Sequence, residues 1–315
     1  MTLSQIGAMS EADARAYLES IRWPDGTRCP HCGSEEVTRL QGKAHRPGVF
    51  KCRACRKQFT VTVGTIFESS HIPLQKWIMA FHLLCSSKKG VSSLQLQREL
   101  GLGCYRTALF MTHRIREAMT DNGGVMLEGF VEADETYVGG KPRPNDGKLR
   151  KDGRGTSKTP VAVVVERNGD AQARVVFSRK EDSLKGFVRH NVDPMAVILT
   201  DELNAYTGLD EDFTGHLTVN HSSGEYARRV GGFSINTNTA ESFFSLLKRG
   251  HYGVYHQMSK HHLNRYCEEF AFRWDHRKCS DARRTVAALA GAEGKRLKYR
   301  AMVGRPARLS EPPQD

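Results

Sequence analysis

The 315-residue chain has no run of 18 consecutive apolar residues, so no membrane-spanning helix is expected. Its opening residues, MTLSQIGAMSEADARAYLES, lack a basic flank followed by an apolar stretch and do not read as a secretory signal. Without such a signal the expected compartment is a reducing cytoplasm, where disulfides are rare. No segment repeats. Acids are in deficit: 35 Asp plus Glu stand against 47 Lys plus Arg, for a net charge of +12. That imbalance favours a polyanionic partner, either nucleic acid or an anionic membrane surface.

With disulfides disfavoured, the eight cysteines need another use. Cys29 and Cys32 lie in CPHC, and Cys52 and Cys55 in CRAC, separated by nineteen residues. Two residues between cysteines let both thiolates turn onto one ion, and two such knuckles complete a tetrahedral shell suited to one structural Zn²⁺. His31 and His45 are rival ligands that four thiolates make unnecessary. Cys85, Cys104, Cys267 and Cys279 are unpaired in sequence, sit in helix-like contexts and read as buried or inert. Lys43, Arg46, Lys51, Arg53, Arg56 and Lys57 surround the knuckles. A closed zinc site of this kind would present those cations to DNA phosphates.

Residues 1–20 read as a short amphipathic helix and residues 21–63 as a zinc ribbon. Trp77, Ile78, Phe81, Leu84 and Cys85 then recur at helical spacing after Pro73. VSSLQLQRELGLGCYRTALFMTHRIREAM reads as helix, turn and helix, with Tyr105, Arg106, Thr107 and His113 offered to a DNA groove. From residue 125 the pattern turns to strands: LEGFVEADETYVGG, PVAVVVERNG and DAQARVVFS, then a helix at DSLKGFVRHN, then MAVILTDELNAY. This order predicts an α/β core with a mixed sheet. The expected boundaries are 1–63 for the ribbon, 64–124 for a helical DNA-binding region, 125–280 for the core, and 281–315 for a C-terminal helix and a Pro-rich disordered tail. The loop GGKPRPNDGKLRKDGRGTSKT carries Lys141, Arg143, Lys148, Arg150, Lys151 and Arg154, candidate phosphate contacts.

Asp134 falls in the middle of the first core strand and Asp201 at the end of the fourth. A carboxylate at such a position is costly unless paired or bound to a cation. If the two strands are neighbours, both acids face one side and can share Mg²⁺. Further on, NTNTAESFFSLLKRG opens a helix that Thr237 or Thr239 can cap. Its first turn holds Glu241, and Lys248 lies two turns on along the same face. Alone, Glu241 reads equally as a partner of the helix dipole and Lys248 as a solvated lysine.

VEADETYVGGK, LTDELNAY and NTNTAESFFSLLKRG, with CPHC…CRAC and GTIFESS, resemble the IS1595 family of insertion-sequence transposases, those with an ISXO2-like domain and an N-terminal zinc ribbon. The resemblance covers roughly residues 20–280 and implies an RNase H-like catalytic core of the DDE type, with Asp134 and Asp201 as the first two metal ligands. The family carries Asn or Glu at the third position, followed by Lys. Here both Asn238 and Glu241 are present, and Glu241 with Lys248 has the acid-x6-Lys spacing common among DDE enzymes. On charge, Glu241 is the favoured ligand and Asn238 a neighbouring contact. Asn236 stands where many relatives have His, so no role carries over to it. The resemblance further implies two catalytic Mg²⁺ ions, binding of terminal repeats, DNA cleavage to a 3′-hydroxyl and its joining to target DNA. It also implies a homodimer or larger assembly on nucleoid DNA. Two alternatives remain open: a zinc-ribbon regulator without catalysis, and an RNase H-like nuclease that cuts without joining.

Overall fold

The computed structural model describes residues 1–120, 126–140, 158–176, 181–220, 227–230 and 233–303. In chain order the helices and strands are α1 (Leu3–Gly7), α2 (Glu11–Arg22), β1 (Val37–Arg39), β2 (Phe50–Cys52), β3 (Gln58–Phe59), α3 (Leu74–Ser86), α4 (Ser93–Glu99), α5 (Tyr105–Met119), β4 (Phe130–Val138), β5 (Thr159–Glu166), β6 (Ala171–Val175), α6 (Glu181–Asn191), β7 (Val197–Asp201), β8 (Gly215–Val219), β9 (Arg228–Val230), β10 (Phe233–Ile235), α7 (Asn238–Gly250), α8 (Leu263–Asp275), α9 (Asp281–Ala290) and α10 (Tyr299–Val303). One unit comprises Met1–Thr120 with Cys279–Asp315, and the other Asp121–Lys278. No helix among the described residues is long and apolar enough to cross a membrane.

In the first unit the expected single N-terminal helix is two. Ser10 accepts from the Asp13 N–H while the Asp13 carboxylate accepts from the Ser10 N–H, so a capping box starts a new helix where the first would have continued. The ribbon is a three-stranded antiparallel sheet, β1-β2-β3. Trp23, Phe50 and Phe59 form its apolar heart, with ring centroids 5.5–6.0 Å apart. In α3, Trp77, Ile78, Phe81, Leu84 and Cys85 are all buried, and the helix packs against α9. An antiparallel bridge between Thr65 and Glu293 and a hydrogen bond from Arg284 to the Cys85 carbonyl tie the C-terminal segment to this unit. Helices α4 and α5 pack together across a turn where Gly101 takes φ +56°.

The second unit is built on a five-stranded mixed sheet of order β6-β5-β4-β7-β8. Strands β6, β5 and β4 are antiparallel neighbours, while β4, β7 and β8 run parallel. The run VAVVVE suits β5 as an inner strand: Val161 through Val165 are all buried, so both faces are covered. On one face Val161, Val163 and Val165 pack with Phe243, Leu247 and Phe270 from α7 and α8; on the other, Ala162 and Val164 pack with Leu184 and Val188 of α6. Period-2 alternation puts Glu132, Asp134 and Thr136 of β4 on the α7 face.

Candidate functional site

The four knuckle cysteines converge. Their sulfurs lie within 4.8 Å of one another, the one group of three or more Cys, His, Asp or Glu ligand atoms so gathered among the described residues. Cys29 and Cys55 sulfurs are 3.7 Å apart, and Cys32 and Cys52 sulfurs 3.6 Å. Tetrahedral Zn–S bonds of about 2.3 Å require S···S near 3.8 Å, so the cluster fits a zinc ion. The knuckles match in conformation: Gly33, after Cys32, has φ +75°, and Arg56, after Cys55, has φ +61°. The Cys55 N–H donates to the Cys52 sulfur at 3.4 Å, and this bond leads in bringing the Cys52 thiol down to about 7. Lys43, Arg46, Arg53, Arg56 and Lys57 are exposed on the ribbon, the Arg53 guanidinium also donating to the Thr38 hydroxyl at 3.1 Å.

Arg106 is exposed in the first turn of α5, beside exposed Tyr105. His113 is not a groove reader: it is only 1% exposed. It lies two turns beyond Arg106 on the same helix face, where the helix is enclosed all round from Met111 to Arg116. Cys104 is also not buried; it is the exposed N-cap of α5. Lys141, Arg143, Lys148, Arg150, Lys151 and Arg154 fall outside the described residues, as does the tail after Val303.

In the second unit β4 and β7 are neighbours, and the register pairs Glu132 with Leu199. The pairing of the two strands ends there, and Asp134 and Asp201 each lie two residues beyond that last pair, on the same face of the sheet. Asp201, the last residue of β7, also accepts from the Leu203 N–H at 3.1 Å. Glu241 is in the first turn of α7, and both it and Lys248 are exposed. Asn238, the first residue of that helix, is exposed as well. The Asp134 carboxyl is pushed up to about 8, by burial first and then by the nearby charges of Glu135, Asp201 and Glu241. Burial disfavours the charged form, and the neighbouring acids add to that.

Tyr206 and Glu132 also belong to this neighbourhood. Tyr206 is 1% exposed and donates to Glu135 at 2.9 Å. Burial, with Glu135, Asp134 and Asp201, holds its phenol well above the usual range, so the hydroxyl stays protonated. Glu132 is fully buried, and its carboxylate accepts the Thr239 N–H (2.6 Å), the Ala240 N–H (3.1 Å), the Thr239 hydroxyl (2.9 Å) and the Arg167 Nε–H (2.7 Å). This corrects the expected cap of α7. Thr237 holds the N-cap position but makes no side-chain cap bond, and Thr239 donates away from the helix. The Thr239 and Ala240 amides go instead to an acid more than a hundred residues earlier in the chain, while the Asn238 N–H donates to the Asn236 side-chain oxygen at 3.2 Å. The sequence signal was present in EADE: a second acid two residues before Asp134, on the same strand face, in a strand with no room for an unpaired charge.

The sequence model of the ISXO2-like transposase domain matches residues 126–275, and that of the transposase zinc-ribbon domain matches residues 9–58. The chain is also similar to an uncharacterized protein in transposable element ISH50 of Halobacterium salinarum, 34% identical over 282 residues, spanning 84% of this chain and 91% of that one. The chain belongs to the IS1595 family of transposases. In this transposase the zinc-ribbon match contains all four cysteines, and the transposase-domain match contains Asp134, Asp201, Asn238, Glu241 and Lys248.

Proposed function

We propose that this transposase cuts DNA at the ends of its insertion sequence and joins the freed 3′-hydroxyl to target DNA, in one site built by Asp134, Asp201 and Glu241. The observation that carries this is the convergence of three acids from β4, β7 and α7, close enough that each of the other two raises the Asp134 carboxyl. The donor set is all oxygen, which fits hard divalent cations such as Mg²⁺. Two Mg²⁺ ions held there would supply charge neutralisation at the attacking and leaving oxygens of an in-line displacement.

The protein's own part is placement. In this reading Asp134 and Asp201 follow the last paired residues of β4 and β7, and Glu241 rides on the first turn of α7. Lys248, two turns along the same face, reaches toward a DNA phosphate, and Asn238 offers a neutral carbonyl at the helix entrance. Tyr206, held protonated, serves as a donor to Glu135 and not as a nucleophile. Three antiparallel strands, a helix, then a parallel strand beside the first support the reading of this unit as an RNase H-like core. The exposed Lys43, Arg46, Arg53, Arg56, Lys57 and Arg106 would grip the terminal repeats, and Lys141, Arg143, Arg150, Lys151 and Arg154 the target or donor backbone. Cutting two ends together calls for at least a dimer on DNA.

The test is purified protein with Mg²⁺ and DNA carrying the element ends, wild type against Asp201→Ala, Glu241→Ala and Asn238→Ala. Cleavage and joining that disappear with Asp201→Ala and Glu241→Ala but only weaken with Asn238→Ala support the site as drawn. Loss with Asn238→Ala while Glu241→Ala stays active makes Asn238 the third ligand. Tight binding of the ends with no cutting under Mg²⁺ or Mn²⁺ favours a regulator, and cutting without joining a nuclease.

A further inference from the structure

Glu132 has no part in the reaction above, yet it is fully buried two residues from Asp134 on the same strand face. We propose that Glu132, clamped by Arg167, is a positioning residue: its carboxylate fixes the first turn of α7, and with it Glu241, at a set height over Asp134. This rests on the reading of Asp134, Asp201 and Glu241 as one catalytic site.

The geometry is specific. One carboxylate oxygen of Glu132 takes two amides of the helix start, Thr239 and Ala240, at 2.6 and 3.1 Å. The other takes the Thr239 hydroxyl at 2.9 Å and the Arg167 Nε–H at 2.7 Å. The remaining Arg167 nitrogens donate to the Ser234 and Asn236 carbonyls at 2.6 and 3.0 Å, which ties down the chain entering α7. Arg167 is itself registered to β4, because its N–H donates to the Phe130 carbonyl at 2.9 Å. A cap supplied by a neighbouring Thr would travel with the helix. A cap supplied by β4 locks the helix to the strand that carries Asp134. Asp at this position would fall one methylene short of the amides. Gln keeps the length but replaces one acceptor with a donor facing donors.

The experiment uses the full chain with Mg²⁺ and an element-end DNA fragment, comparing wild type, Glu132→Gln, Arg167→Lys and Asp134→Ala. Glu132→Gln is expected to bind the DNA within about twofold of wild type and to cleave it roughly 10–100-fold more slowly at saturating DNA, with a raised Mg²⁺ midpoint. Amide hydrogen exchange is expected to speed up at least about tenfold at Thr239 to Glu241, with β5 and β6 unchanged. Arg167→Lys should give the same pattern at smaller amplitude. Wild-type cleavage and Mg²⁺ midpoint in Glu132→Gln would overturn the proposal. So would protection lost throughout β4 to β6, since the carboxylate would then merely hold the sheet. If wild type itself does not cut but Glu132→Gln still loosens the start of α7 alone, the anchor stands and the catalytic reading falls.

Discussion

In this transposase the cysteine tetrad and the three acids proposed as metal ligands are built in opposite ways. The cysteine tetrad comes from two local knuckles, and its sulfurs already sit within 4.8 Å of one another. The acids come from β4, β7 and α7, up to 107 positions apart, and the Asp134 carboxyl is raised to about 8 by burial first and then by Glu135, Asp201 and Glu241. Before metal arrives thiols carry less charge at neutral pH than carboxylates do, so folding can gather them at smaller electrostatic cost. Carboxylates repel, so register and an anchored helix must hold them near each other against that repulsion. One set suits a structural metal, and the other, on the function proposed above, suits chemistry.

The sharpest way to break this contrast is to remove one member of each set. Asp201→Ala is expected to lower single-turnover DNA cleavage by roughly 10³-fold or more, while zinc content stays at one ion per chain. Cys52→Ser should do the reverse. Zinc measured by a chromogenic chelator should fall from about one per chain to near none, and exchange protection should vanish from β1 to β3. Protection across β4 to β7 should survive, because that sheet has its own core. If Cys52→Ser left the ribbon protected, the cysteines would not be holding a structural metal.

A smaller effect separates the sets by sign. Without added Mg²⁺, Asp134→Asn is expected to stabilise the second unit, by on the order of 1–3 kcal/mol near pH 8, although it abolishes cutting. The sign follows from the raised carboxyl. The native chain keeps a proton up to about 8 that the unfolded chain loses near 4, so wild-type stability falls as pH rises through that window. Asp134→Asn lacks this fall, so thermal scans at pH 5 and pH 8 should show its advantage only at the higher pH. A loss of stability at pH 8 would mean that Asp134 is paired and not repelled.

The same contrast explains what could be read from the sequence. Both knuckles were legible because two residues of spacing fix their geometry. Asp134 and Asp201 were legible as strand acids, but their meeting depended on β4 and β7 being neighbours, which only the fold provides. Glu132 was missed because its partners, Thr239, Ala240 and Arg167, are remote, and Thr237 offered a plausible local cap. His113 was misread because helical spacing gives a face and not its cover; α5 is open at Arg106 and enclosed two turns later.

The smallest expected effect lies in the ribbon cations. Arg56 and Lys57 are exposed beside the second knuckle, and Arg56 holds φ +61°, which turns it out of the strand path. Each phosphate contact contributes about 0.9 to the slope of log affinity against log salt. Lys57→Ala should therefore weaken binding of element ends and of unrelated DNA alike, by several-fold, and reduce the salt slope by about one. Asp201→Ala should leave that slope where it is, because its carboxylate contacts no phosphate without a cation between them. A steeper loss for element ends than for unrelated DNA would show Lys57 reading base edges, and would make the ribbon a sequence reader as well as a clamp.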